Sequence, residues 1–189
     1  RDTALWRSKI FQAPDKKNFA SMRVYFEIPP WASAIHTNKI PIMTAAVTSG
    51  VTMFSDSVYL PGYEAWRAAD ANPGTYWHSG LTGFPHDIKV DFGAGGAFTA
   101  DQYSFASVGN WYPRDWTFQG SNDDAAWTIL DSHTDFVDWL SVNDPVTFGV
   151  TLSAAYRYFR IVVTDNLYSD GVNNWATMGN LNISPAPYG

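Results

Sequence analysis

The chain has 189 residues and a net charge of −6, and it is rich in aromatic residues, with nine Trp and ten Tyr. Its basic residues form no run, so counterion release, the main source of nucleic-acid affinity, has little to act on, and an anionic membrane surface is disfavoured for the same reason. The absence of Cys excludes disulfides and thiolate metal sites, and no apolar run reaches membrane-spanning length.

In chain order, Met22, Val24 and Phe26 alternate with Arg23, Tyr25 and Glu27, which predicts a strand stopping at Pro29-Pro30. Two further strands are predicted over 42–48 and 51–60, split by a Ser49-Gly50 turn, and Pro61-Gly62 marks a boundary. Residues 1–62 therefore read as a β-rich N-terminal arm or docking segment, and residues 63–189 as a domain. Within the domain, 64–69 predicts a short turn of helix. Strands are predicted over 87–92, 103–108, 116–121, 127–130, 146–152, 158–164 and 180–183. The stretch from Pro113 to Asp131 is the clearest of these. Trp116, Phe118 and Gly120 share one face, Thr117, Gln119 and Ser121 the other, and the polar cluster 121–124 makes a turn before an apolar strand resumes at Trp127. Short strands with Gly, Pro, Asn and Asp between them predict an all-β fold, an antiparallel β-sandwich. Its expected core contains Trp77, Phe105, Phe118, Trp127, Phe159 and Ile161.

Five pieces of 63–189 resemble, in order, the discoidin or coagulation factor 5/8 type C family. Asp70 to Trp77 resembles D-G-N-x-x-T-x-W, and Phe84 to Gly93 resembles P-x-x-I-x-V-D-L-G. Gly120 to Leu130 is similar to G-S-N-D-G-x-x-W-x-x-L, Ala155 to Ile161 to Y-R-Y-Y-R-I, and Gly179 to Ile183 to the closing A-E-I-E-F strand. The resemblance implies a galactose-binding-like jelly roll and a binding module. Separately, Trp6-Arg7-Ser8-Lys9-Ile10-Phe11, then Asn18-Phe19 and Arg23-Val24, resemble a segment of bacteriophage tail and virion proteins.

The resemblance also implies two sites. In the family the D-G-N-x-x-T loop often wraps Ca²⁺, completed by a Glu of the closing strand. Asp70, Asn72 and Thr75 match, whereas Ala71 replaces the Gly and Asn180 stands where the Glu is expected. Ala at that position is expected to oppose a left-handed backbone angle. The alternative reading of the loop is a turn held by its own hydrogen bonds. Sugar-binding members carry W-H-T and an Arg in a P-R segment, which Trp77-His78-Ser79 and Pro113-Arg114 match. His78 and Arg114 would bond ring hydroxyls, while Trp111 and Trp175, in polar loops, would cover a sugar's apolar face. No carboxylate pair, nucleophile elbow, zinc helix or phosphate loop points to an enzyme, and Glu27 and Glu64 are the only Glu residues.

The expected function is thus a non-catalytic glycan-binding domain of a virion protein, extracellular and homo-oligomeric, facing host-cell glycans and other virion subunits. The alternatives are a secreted bacterial module attached to a glycoside hydrolase, and an assembly domain with no sugar ligand. The chain begins at Arg1, as a processed or partial piece of a longer protein would.

Overall fold

Inward and outward residues alternate along the central strands of the larger sheet, and that alternation builds the two faces of a sandwich. The computed structural model describes residues 36–80, 83–109, 111–151, 154–168 and 174–185, all within the compact unit Ala34–Gly189. The strands are β1 (Val47–Thr48), β2 (Val51–Ser55), β3 (Trp77–His78), β4 (His86–Asp91), β5 (Ala100–Ala106), β6 (Pro113–Ser121), β7 (Thr128–His133), β8 (Val146–Gly149), β9 (Tyr158–Asn166) and β10 (Thr177–Pro185). One sheet runs β1-β2-β4-β9-β6-β7, the other β3-β10-β5-β8, and every pairing is antiparallel. The fold is therefore the all-β sandwich expected from the strand spacing.

The core lies between the sheets. Met53, Val90 and Phe159 form one inward row, and Ile88, Ile161 and Phe118 the next. From the smaller sheet Tyr103, Phe105, Met178, Leu181 and Ile183 meet them. Tyr103 stacks on Phe118 with ring centroids 4.2 Å apart, and Phe118 stacks on Phe159 at 5.6 Å. A buried phenol and indole need partners. The Trp116 indole N–H donates to the Tyr103 hydroxyl at 2.9 Å, which donates to Asp131 Oδ2 at 2.8 Å; His133 Nε2 faces the same carboxylate oxygen at 2.8 Å. Burial, then the Asp131 charge, pushes the Tyr103 phenol far above its usual range.

Three expectations need correction. Trp127 is not in the core. It precedes β7, outside the ladder, and lies half-buried with the Arg160 guanidinium 4.1 Å from its ring centre. A bulge between Phe118 and Gln119 shifts the β6–β7 register, and Leu130 is the buried residue of β7. Second, the boundary at 62 cuts through the sandwich. Ser49 and Gly50, both at positive φ, close the β1–β2 hairpin, and β2 pairs with β4 over four residues. Ile40 and Met43 are also core residues. The 42–48 and 51–60 strands are shorter than predicted, and 65–69 is a 3₁₀ turn. Third, Ala71 does adopt the left-handed region, at φ 58°. The strand predicted over 22–27 and the virion-like segment lie outside the described residues.

Candidate functional site

Six ring side chains gather around β3. His78 is buried, and its imidazole stacks on Tyr59 with centroids 4.8 Å apart. Trp111 and Trp175 each lie 5.3 Å from it, Tyr63 lies 5.6 Å away, and the two indoles meet edge-on at 4.6 Å. Tyr76 packs on Tyr63 at 5.2 Å. Of the expected sugar contacts, the structure thus brings together His78, Trp111 and Trp175. Tyr59, Tyr63 and Tyr76 were missed. Their places beside Pro61-Gly62 and Pro73-Gly74 make them poor core candidates, but nothing in the sequence says that they meet His78.

Buried polar residues hold these rings in place. The loop before β3 is tied to it by Tyr59 N–H to the His78 carbonyl at 2.9 Å and His78 N–H to the Tyr63 carbonyl at 3.3 Å. The Trp77 indole donates to the Ser57 carbonyl at 3.1 Å. His86 is fully buried between two site loops, with Nδ1 3.0 Å from Asp56 Oδ2 and Nε2 2.7 Å from the Asn174 carbonyl. Burial acts to raise the Asp56 carboxyl, but hydrogen bonds from His86 and the Asp87 N–H outweigh it and hold Asp56 below its usual range. Asn166 Nδ2 donates to the Trp175 carbonyl at 2.7 Å, and the Thr177 hydroxyl donates to the carbonyls of Val108 and Trp111.

The cluster keeps unspent hydrogen-bonding capacity. His78 Nδ1 lies 2.8 Å from the Ser79 carbonyl and so carries the proton. Desolvation, opposed by that bond, lowers the His78 pKa from its ordinary value, so the ring is neutral at pH 7 and Nε2 is an acceptor. The Trp175 indole N–H is buried without a partner among the described residues. An acceptor and a donor framed by rings match a hydroxyl group on a carbon ring that has one apolar face.

Arg114 sits apart in an acidic set. Its Nε donates to Asp115 Oδ1 at 3.1 Å, Nη2 pairs with Asp165, and Asp135 lies 3.7 Å from Nε. The Asp115 bond, opposed by desolvation, leaves the guanidinium pKa raised. The expected cation loop is internally bonded. Thr75 Oγ1 donates to Asp70 at 2.7–2.8 Å and lies 3.0 Å from the Asn72 carbonyl, while Asn72 Oδ1 accepts from the Gly74 N–H at 2.9 Å. The oxygens of Asp70, Asn72 and Thr75 converge, and hard oxygen donors suit Ca²⁺. They bring a single carboxylate, and Arg67 already stands 3.9 Å from it. Asn180, at φ 52° on a β10 bulge, turns its amide to the Asn143 carbonyl at 2.9 Å. No cluster of three or more His, Asp or Glu arranged for a metal occurs among the described residues.

The pattern of the F5/8 type C domain matches residues 51–180. The chain belongs to that family. The match begins at β2, one strand into the sheet. Solved structures of carbohydrate-binding modules share the fold. CBM32-3 from a family 31 glycoside hydrolase of Clostridium perfringens superposes with a TM-score of 0.61 at 18% identity, over 72% of this chain and 92% of that one. The family 32 module of Clostridium perfringens NanJ, solved with galactose, gives 0.58 at 18% over 71% and 93%. Chitosan-binding module 1 of a Paenibacillus sp. IK-5 chitosanase/glucanase gives 0.56 at 22% over 74% and 96%. No curated protein matches the chain. No helix among the described residues is long and apolar enough to cross a membrane.

Proposed function

We propose that this F5/8 type C domain is a non-catalytic glycan-binding module whose ligand rests on the His78, Trp111 and Trp175 cluster. The observation that carries the reading is the neutral His78 acceptor and the Trp175 donor, unpartnered among the described residues, inside one frame of rings. The galactose complex of the NanJ module and the chitosan-binding module from Paenibacillus sp. support a saccharide as ligand class. Arg114, held by three aspartates through Nε and Nη2, would offer Nη1 to a ligand that extends beyond the ring cluster. The net charge of −6 favours a neutral glycan over a sulfated or phosphorylated one. A single shallow site gains little over water, so useful affinity needs several copies, as in a homo-oligomer.

The proposal extends to a weakly held Ca²⁺ on the Asp70, Asn72 and Thr75 oxygens, where the ion would stiffen the loop leading into Tyr76 and β3. A place on a virion, beside other virion subunits, rests on the resemblance of residues 6–24. A place beside a glycoside hydrolase is supported by the CBM32-3 relative. A glycan array probed with the full chain tests the central reading. Binding that is lost in Trp111→Ala and weakened in Arg114→Ala is expected. Silence across all glycans from a correctly folded protein would instead favour an assembly role.

A further inference from the structure

The outer face of the smaller sheet carries a groove lined by none of the six rings of the aromatic cluster. Ser104 is the register partner of Asn182, and Gln102 that of Ser184, so four hydroxyl and amide side chains stand as neighbours on β5 and β10. Polar residues on an outward sheet face are ordinary. The wall beside them is not. Residues 38–40 are clipped along β10 by the Lys39 N–H to the Ile183 carbonyl at 2.8 Å, and by the Ile183 N–H to Asn38 Oδ1 at 3.0 Å. This wall turns the face into two pockets of about 180 and 190 Å³, which share Asn38 and Asn182 and so form one groove.

The chemistry of the lining selects a ligand. The first pocket is lined by amides, hydroxyls and the His36 ring, with only Tyr103 from the core, and no Asp, Glu, Lys or Arg is among its lining residues. Bound anions need cations, metal ions need carboxylates and apolar ligands need apolar walls, and this pocket supplies none of them. Much of its polar capacity is unspent. Among the described residues the Gln102 amide, Asn38 Nδ2 and Asn182 Oδ1 have no hydrogen-bond partner, while His36 Nδ1 faces Asp101 Oδ2 at 3.5 Å. The second pocket adds Ile40, Pro41, Ile42 and Leu181 beside Asn180. Dense neutral donors and acceptors next to an apolar floor match a polyhydroxylated ring followed by a second ring lying flat.

We infer that this groove is a second glycan site, taking two consecutive units of a neutral oligosaccharide. It does not rest on the ligand proposed for the aromatic cluster. Two independent sites on one chain would let the module hold a polysaccharide strand or bridge two strands, with the gain in avidity that bivalency brings.

The test follows the isotopically labelled full chain by NMR during titration with cellotriose, maltotriose, triacetylchitotriose and lactose. The side-chain amide signals of Asn38, Gln102 and Asn182 report the groove, and the indole signals of Trp111 and Trp175 report the cluster. At least one sugar is expected to move the three amides saturably. Gln102→Leu should weaken that event about tenfold, and the milder Ser104→Ala should weaken it less. Trp111→Ala should leave it unchanged, whatever it does at the cluster. Amides that none of the sugars moves would overturn the inference. So would a response that survives both groove substitutions, or one abolished by Trp111→Ala. Indole shifts without amide shifts would leave the cluster reading standing and sink this one.

Discussion

Phe118 and Trp127 are nine residues apart, and both follow the apolar pattern of 113–131, yet they carry very different weight. Phe118 is fully buried between Tyr103 and Phe159, so Phe118→Ala is expected to cost about 3–5 kcal/mol in chemical denaturation. Trp127 gains only a partly exposed guanidinium contact, and Trp127→Ala should cost about 1 kcal/mol. Charge at single residues sets the pH response. The depressed His78 pKa means that the unfolded chain takes up a proton at the ordinary histidine value of about 6.5 while the folded ring resists it. Stability is therefore full above that value and falls as pH drops through the folded value. Asp91, held low first by its bidentate bond to Arg157 at 2.6 and 2.7 Å, and Asp56, held low by His86 and the Asp87 N–H, give the same sign further down. Their contribution is present above about pH 4, the usual carboxyl value, and is lost below it. Burial raises the Asp87 carboxyl and opposes them in part. The melting temperature should thus decline in two stages on acidification, and His78→Phe should flatten the first.

At the scale of elements, β2 decides where the domain begins. It joins β1 to β4, and its inward Val51 and Met53 fill the core. A fragment of residues 63–189 would leave β4 as an exposed edge beside an opened core, and is expected to show no cooperative melt, whereas residues 36–189 should melt as one unit. Close packing across strands matters as much as pairing. A Cβ added at Gly120 would lie 2.5 Å from the Tyr156 ring, so Gly120→Val must push Tyr156 off β6. A loss of roughly 2 kcal/mol is expected, within the range for overpacking, readable from the shift in urea midpoint. The loops of the aromatic cluster depend on buried hydrogen bonds in the same way. His86 fastens Asp56 and Asn174 at once, so it acts on the site without touching a ligand.

For the molecule as a whole, the balance of charge separates possible ligands. With a net charge of −6 and Arg114 already neutralised by aspartates, binding of a neutral glycan should barely change between low and high salt, measured by calorimetry. A steep loss of affinity with salt would mean an ionic ligand and a different site. A chelator should lower the melting temperature by a few degrees, and added Ca²⁺ should restore it, if the Asp70 loop holds an ion that only the folded state binds. An unchanged curve would leave the loop as a self-bonded turn.

The sandwich was legible in the chain because strand period, turn chemistry and core residues are local. The alternation of Trp116, Phe118 and Gly120, the Ser121 to Asp124 turn and the ordered family pieces each depend on neighbours in sequence. His78, Trp111 and Trp175 could be named as site candidates for the same reason, from a motif and from polar loop context. That Tyr59, Tyr63 and Tyr76 join them could not be read, because antiparallel pairing and the His86 anchor bring together segments separated by tens of residues. Nor could the fate of Arg114, since Asp165 meets it only through the β6–β9 pairing. Trp127 was misplaced because a bulge shifts which residues of a strand face inward, and no periodic pattern records it. The groove on the smaller sheet exists only where residue 38 lies against residue 183, a contact that tertiary packing alone creates.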